Sequence, residues 1–102
     1  MTHKIFWSNS AVTDLKRVRK FLHNFSKPVA NNAVSIIQDA TTKLITFPLS
    51  GRLIEELEGY YELFIPFASA GYYLRYRVHT QDIYIMHIRH SKELLGGNNN
   101  AK

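Results

Sequence analysis

Residues able to bind anions or transfer protons concentrate in the second half of the sequence. Arginine and lysine bind phosphate and carboxylate groups, and histidine is a proton-transfer group near neutral pH. Such side chains can hold a phosphate and stabilise developing negative charge, or they can form a docking surface for an acidic partner. The candidate target-binding residues are Arg52, Arg75, Arg77, Arg89, His90 and Lys92.

Sequence motifs for metals and cofactors are missing. His87 and His90 are three residues apart, a spacing that places them on opposite faces of a strand, and no convincing carboxylate partner lies near them in the sequence. The chain contains no cysteine, no glycine-rich phosphate loop and no nucleophile elbow. We therefore expect no metal site and no cofactor.

Two β-prone runs joined by a short polar turn predict the hairpin that positions the basic residues. The first run places Tyr72, Leu74, Tyr76 and Val78 on one face and Tyr73, Arg75, Arg77 and His79 on the other. The second run, read with the same period, places Tyr84, Met86 and Ile88 on one face and Ile83, Ile85, His87 and Arg89 on the other. The turn at residues 80–82 makes an antiparallel pair the natural interpretation. The second run is apolar on both sides at its start, which is typical of a central strand.

The N-terminal half predicts a strand and two amphipathic helices. Residues 4–7 form a short β-prone run, and Ser8 or Ser10 is a suitable N-cap for a helix. The apolar stripe of the first helix consists of Ala11, Leu15, Val18, Leu22 and Phe25. A second helix begins near Pro28 and ends at Pro48. Its main stripe consists of Ala33, Ile37, Ala40, Leu44 and Phe47.

A further strand is predicted over residues 61–67, where Pro66 indicates an edge position or a strand end. The predicted fold class is therefore α+β, with an N-terminal strand and an antiparallel helix hairpin packed on a small antiparallel β-sheet. We expect one domain over residues 1–95 and a disordered tail over residues 96–102. The sheet face opposite the helices should be partly open and basic.

Composition indicates the cellular compartment and the kind of partner that the protein binds. The formal net charge is +5, which favours acidic partners such as nucleic acid or an acidic protein segment. The absence of cysteine suits a reducing compartment, and no apolar run approaches the roughly 20 residues that span a bilayer. We expect a cytoplasmic protein that does not bind membranes.

Several short motifs follow one another along most of the chain. They are Trp7-Ser8-x-x-Ala11-x-x-Asp14-Leu15, Phe47-Pro48-x-x-Gly51-Arg52, Glu62-Leu63, Ala70-Gly71-Tyr72, Tyr76-Arg77-Val78 and Ile88-Arg89-His90-x-x-Glu93. In their order and spacing they resemble the RelE/ParE superfamily, the toxins of type II toxin–antitoxin modules. The resemblance implies the same fold as the periodicity does, a helix hairpin on a small sheet.

The resemblance implies one of two activities. Toxins of the RelE branch cut mRNA in the ribosome, with two lysines on the strand before the Ser-Gly-Tyr turn and an arginine directly after that tyrosine. These positions hold Phe64, Pro66 and Tyr73 here. The ParE branch lacks those residues and inhibits DNA gyrase by binding, and this sequence is more similar to it. The resemblance therefore implies a gyrase inhibitor that is not an enzyme.

Alternatives remain at this point. A RelE-like ribosome-dependent ribonuclease with a rearranged site would use His90, Arg77 and Arg89, since RNA cleavage needs an acid, a base and cations. A histidine at a strand end can equally be a hydrogen-bonded structural residue. The protein can also be a decayed toxin that binds only its antitoxin, and an aromatic sheet with arginines can bind RNA directly.

The resemblance also implies partners. A cognate antitoxin encoded by the adjacent gene is expected, with DNA gyrase or the ribosome as the target. We expect an acidic, amphipathic antitoxin tail that folds on binding and covers the basic sheet and an apolar groove beside the helix pair, giving a toxin–antitoxin hetero-oligomer.

Overall fold

The computed structural model describes residues 3–92. Its elements are β1 Lys4–Trp7, α1 Asn9–His23, α2 Lys27–Lys43, β2 Arg52–Leu53, β3 Tyr60–Phe67, β4 Ala70–His79 and β5 Asp82–His90. The two helices pack together on one face of a five-stranded sheet. The predicted fold class is confirmed. The predicted tail, residues 96–102, and the last residues of the predicted domain, 93–95, lie outside the described residues.

The strand order β1-β5-β4-β3-β2 makes the C-terminal hairpin the centre of the sheet. Strands β2 to β5 pair antiparallel with their neighbours, whereas β1 pairs parallel with β5, in the register Lys4 opposite Asp82. A parallel pair needs a long crossover connection, and the helices together with β2 to β4 provide it. The sheet is therefore mixed. The segment between α2 and β3 contains β2, which pairs with only Tyr61 and Glu62 of β3. Pro66 lies beyond that pairing, which confirms its predicted edge position.

Serine side chains begin both helices. The Ser8 hydroxyl accepts a hydrogen bond from the Ala11 N–H at 3.0 Å and donates one to the Met86 carbonyl at 3.0 Å. Ser26 caps α2 in the same way, and Pro28 lies in its first turn. Neither helix in the described part of the chain combines the length and apolar character needed to cross a bilayer.

The helical stripes are confirmed except at their ends. Ala11, Val18, Ile37 and Leu44 are buried in the core that the helices share with the sheet. Phe25 and Phe47, the last members of the predicted stripes, are instead 74% and 64% exposed. The reason is that α1 ends at His23 and α2 ends at Lys43, well before Pro48. Phe25 and Phe47 lie beyond the C-cap residues Asn24 and Leu44, where helical periodicity no longer fixes the direction of a side chain.

A β-bulge in β5 overturns the predicted alternation of that strand. Arg75 pairs with His87 and Tyr76 pairs with Ile85, so Met86 has no residue opposite it. One extra residue reverses the side-chain direction from that point. The helix-facing side therefore carries Ile83 and Ile85 before the bulge and Ile88 after it, all three buried. The prediction that Tyr84, Met86 and Ile88 share a face is wrong.

Tyr76 connects the sheet to the loop that follows α2. The residue is fully buried, and its hydroxyl donates to the Pro48 carbonyl at 2.8 Å and accepts from the Gly51 N–H at 2.9 Å. A Cβ atom at Gly51 would lie 2.8 Å from this hydroxyl, so the close approach requires glycine. Desolvation by burial raises the pKa of Tyr76 above its ordinary value.

Candidate functional site

The sheet surface opposite the helices, here called the outer face, collects most of the predicted binding residues. Side chains in register on neighbouring strands point to the same side of a sheet. Register therefore arranges the outer face into rows that cross the strands. One row contains Phe6, Tyr84, Arg77 and Tyr60, the next contains His87, Arg75, Glu62 and Arg52, and the third contains Arg89, Tyr73 and Phe64.

Glu62 lies at the centre of an arginine cluster on this face. Its carboxylate oxygens lie 3.5 Å from Nη2 of Arg75, 3.9 Å from Nη2 of Arg89 and 4.0 Å from Nη2 of Arg52. These lengths are at or beyond the limit of a hydrogen bond, so the contacts are mainly electrostatic. The Glu62 side chain is only 10% exposed, whereas that of Arg52 is 83% exposed. The cluster therefore carries three positive charges around one covered negative charge.

Aromatic rings hold two of the arginines on the outer face. The Arg89 guanidinium carbon lies 4.5 Å from the centre of the Tyr73 ring, and that of Arg77 lies 5.5 Å from the centre of the Tyr60 ring. Both distances are within the range of a cation–π contact. Phe64 packs against Tyr73 with 5.2 Å between ring centres. Phe64 is nevertheless 44% exposed, so the outer face combines accessible aromatic surface with positive charge.

Asp14 on α1 contacts the C-terminal half of β5, beyond the residues of β5 that pair with β1. Its Oδ2 accepts a hydrogen bond from the Ile88 N–H at 2.9 Å and lies 3.7 Å from Nδ1 of His87. Its Oδ1 accepts from Nη2 of Arg17 at 3.1 Å. Together with Glu62, Arg75 and Arg89, these residues line a cavity of about 300 Å³ that also reaches Tyr73. The helix therefore closes one side of the candidate site.

The structure separates the other predicted site residues from this cluster. His90 is in register with the buried Tyr72 and faces the helices, with 5.3 Å between the ring centres. Its Nδ1 accepts a hydrogen bond from the Lys92 N–H at 3.1 Å. His90 and Lys92 line a second cavity of about 420 Å³ beside α1. Arg77 lies in the first row of the outer face, and its Nε is buried with no hydrogen-bond partner in residues 3–92.

Of the predicted binding set, Arg52, Arg75 and Arg89 therefore form one group on the outer face, while His90 and Lys92 lie together at the second cavity. The three residues proposed for RNA cleavage occupy different places, because Arg89 faces outward and His90 faces the helices. In the described part of the chain, no group of three or more His, Asp or Glu side chains is placed to hold a metal ion.

Sequence reasoning missed Glu62 and Asp14 as members of the site. Glu62 had a detectable signal, because the alternation of residues 61–67 places it on the same face as Phe64, and it is the one acidic residue in that run. Asp14 had no such signal. Its contact with β5 joins residues 74 positions apart, and only the fold reveals it.

An apolar groove of about 440 Å³ separates α2 from β3. It is lined by Ile36, Ala40, Phe47, Leu63, Phe64 and Pro66, with Asp39 and Lys43 at its polar edge. Phe47, displaced from the predicted helix stripe, supplies exposed aromatic surface here. The β3 backbone beyond Glu62 has no neighbouring strand on this side within the described residues. The groove is thus a second surface suited to binding a protein segment.

Comparisons with known proteins agree with the fold. Residues 5–95 match the sequence model of a family described as the ParE toxin of the type II toxin–antitoxin system parDE. Toxin RelE3 of Caulobacter vibrioides is 32% identical over 80 residues, which cover 78% of this chain and 85% of that protein.

Two solved structures resemble the chain in fold. A structure of the chromosomal ParDE toxin–antitoxin system from P. aeruginosa has a TM-score of 0.73 at 22% identity, covering 88% of this chain and 97% of that one. A mutant of E. coli toxin RelE in the free state has a TM-score of 0.61 at 12% identity, covering 90% of this chain and 86% of that one.

Proposed function

Because the chain belongs to the ParE toxin family of type II toxin–antitoxin systems, we propose that this toxin inhibits DNA gyrase by binding and does not cut ribosome-bound mRNA. The observation that carries the proposal is the composition of the outer face. Phe64, Pro66 and Tyr73 stand where the resemblance to RNA-cleaving relatives implies two lysines and an arginine. In place of that basic set, Phe64 and Tyr73 pack as an aromatic pair.

The arrangement of the remaining ionisable groups supports the same choice. General acid–base cleavage requires its groups within hydrogen-bond reach of one reacting phosphate. Arg89 and His90 face opposite sides of the sheet, and the arginines near Arg89 are partly neutralised by Glu62. Each missing catalytic group typically lowers a rate about a hundredfold or more. Binding to a protein target requires only a complementary surface and tolerates these replacements.

Family membership implies a cognate antitoxin. We propose that it is encoded by the adjacent gene, and that its acidic, amphipathic tail occupies the groove between α2 and β3 while its carboxylates approach the basic outer face. The groove supplies apolar surface from Ile36, Phe47 and Leu63, and the net charge of +5 favours an acidic segment. The complex would form in the cytoplasm as a toxin–antitoxin hetero-oligomer.

The two target hypotheses can be separated with one preparation of purified protein. We expect inhibition of DNA supercoiling by gyrase, and no cleavage of mRNA in a ribosome-dependent translation assay. His90→Ala serves as the matched control, since its ring lies on the helix side and its loss should leave gyrase inhibition intact. Cleavage of ribosome-bound mRNA that disappears in His90→Ala, together with unaffected gyrase, would instead establish the ribonuclease activity.

The antitoxin proposal has its own test. Co-expression with the adjacent gene and affinity purification should recover a complex, and added antitoxin should raise the melting temperature of the toxin. A ligand at 100 times its Kd stabilises the folded state by about 2.7 kcal/mol. A protein that accumulates alone, harmlessly and without a partner would contradict the proposal.

A further inference from the structure

Glu62 occupies an unusual position for a carboxylate on a binding face. Its side chain is 10% exposed, and guanidinium groups from three different strands lie within 4.0 Å of its oxygens. Binding to a protein target does not by itself require a carboxylate at this position. At distances of 3.5 Å to 4.0 Å the carboxylate offsets positive charge without accepting short hydrogen bonds. The arginine N–H groups therefore stay available to other acceptors.

Without Glu62 the outer face would have the chemistry of a single-stranded nucleic-acid binder. Such proteins combine a positive surface that follows the phosphate backbone with aromatic rings on which bases stack. The outer face has accessible rings at Phe6 and Phe64, each 44% exposed, and arginines beside them. Glu62 is the residue that interrupts this pattern in the central row.

We infer that Glu62 is a specificity-determining residue whose carboxylate acts as an internal counter-anion and excludes nucleic-acid phosphates from the outer face. The inference builds on the proposed function, because it explains how a toxin directed at a protein avoids RNA and DNA. A phosphate that contacts Arg75 and Arg89 must approach the carboxylate to which both are already close. The repulsion is poorly screened because Glu62 is largely covered.

Because Glu62 offsets one of the three arginine charges, the cluster also gains less from nucleic acid by counterion release than three unpaired arginines would. That release drives most non-specific binding, and it requires cations that neutralise phosphates. Main-chain carbonyl groups of a protein target carry no net charge, so Glu62 does not repel them, and they can accept hydrogen bonds from Arg75 and Arg89. The same carboxylate therefore disfavours one class of partner while leaving the other unaffected.

The test is Glu62→Gln, which keeps the shape of the side chain and removes its charge. Binding of a fluorescent single-stranded oligouridylate is measured by anisotropy at several salt concentrations. We expect Glu62→Gln to bind at least tenfold more tightly than the wild-type protein at low salt. The slope of log K against log salt should steepen by about 0.7 for each additional phosphate that the variant neutralises.

Glu56→Gln is the matched control, since it removes one negative charge from an exposed loop residue. It should change affinity by less than about threefold, as expected for a screened charge outside the site. Adding Arg75→Gln and Arg89→Gln to Glu62→Gln should return binding to the wild-type level. Equal increases in affinity in Glu56→Gln and Glu62→Gln, or an increase that persists without the two arginines, would overturn the inference.

Circular dichroism establishes that each variant is folded before binding is compared. If Glu62→Gln does not fold, Glu62→Ser is measured in its place, because a small polar side chain lets water solvate the arginines. Gyrase inhibition by the wild-type protein is assayed separately. Its absence would contradict the proposed target while leaving the result with oligouridylate interpretable.

Discussion

The two faces of the sheet are built from the same strands but differ in almost every physical property. On the helix-covered face, Leu74, Tyr76 and Ile85 are fully buried. On the outer face, their immediate neighbours Tyr73 and Arg75 are partly exposed and engaged in ring and charge contacts. Alternation along β4 therefore separates the residues that stabilise the fold from those available to a partner.

Some residues of the motifs that carry the family resemblance stabilise the fold. Ser8 begins α1 and binds the β5 backbone, Asp14 accepts from Ile88, and Gly51 accommodates the Tyr76 hydroxyl. At Gly71 an added Cβ would lie 2.5 Å from the Ile65 carbonyl oxygen. These contacts show how part of the motif set holds the helices, the loop after α2 and the sheet together. The identity of the target has to be sought among outer-face residues such as Glu62 and Phe64.

The largest effect on stability is expected from Leu74→Ala, because it opens a cavity on the fully buried face. Large-to-small substitutions at such sites cost about 2–5 kcal/mol of unfolding free energy. Phe64→Ala removes a larger side chain from the outer face, where it is 44% exposed, and should cost only about 1 kcal/mol. Urea denaturation of both variants checks the contrast. Equal losses of unfolding free energy in the two variants would show that Phe64 stabilises the fold as much as a core residue does.

The sequence predicts the two faces of the sheet for some strands and not for others. In β4 the alternation is uninterrupted, so both faces follow directly from residues 72–79. In β5 the bulge at Met86 reverses the pattern, and nothing local in the sequence marks it. The parallel pairing of β1 was equally inaccessible, because strand partners far apart in sequence are chosen by the packing of the whole domain.

The candidate site was predictable in its charges and not in its geometry. The outward position of Arg75 follows from alternation, whereas its grouping with Arg52 and Arg89 depends on the register of three strand pairs. The separation of His90 from Arg89 follows from the period of a strand, but the ring contact of His90 with Tyr72 does not. The predicted positions of Phe25 and Phe47 were wrong because the apolar periodicity of the sequence continues past the helix ends at His23 and Lys43.

An intermediate effect is expected from Tyr76→Phe, which keeps the buried ring and removes the hydroxyl. The Pro48 carbonyl and the Gly51 N–H then lose their partner, at a cost of about 1–3 kcal/mol. Tyr61→Phe is the control, because that ring stacks on Tyr76 and no hydrogen bond to its hydroxyl occurs in residues 3–92. Denaturant titrations at neutral pH should show a loss in the first variant only. If Tyr61→Phe costs as much, the two hydrogen bonds do not stabilise the loop.

The same variant should alter the pH dependence of stability in alkali. Burial raises the pKa of Tyr76, so between about pH 10 and that higher value the unfolded chain loses this proton first. The unfolded state is thereby favoured, and wild-type stability falls as the pH rises through this range. In Tyr76→Phe that part of the fall should be absent, leaving a shallower slope in denaturant titrations above pH 10. An unchanged slope would mean that other groups account for the alkaline loss.

The smallest effect on stability, and the clearest on function, is expected from replacing Arg75 and Arg77 together by glutamine. Both side chains lie on the outer face. The partly exposed ion pair of Arg75 with Glu62 and the ring contact of Arg77 with Tyr60 each contribute at most about 1 kcal/mol. The unfolding free energy of the double variant should therefore change by no more than the sum of these two small contributions, while gyrase inhibition is abolished. Lys16→Gln with Lys20→Gln removes the same charge from the exposed surface of α1 and should preserve inhibition. A large drop in melting temperature for the arginine variant would show instead that these side chains support the fold. The outer face would then stabilise the protein as well as being accessible to a partner.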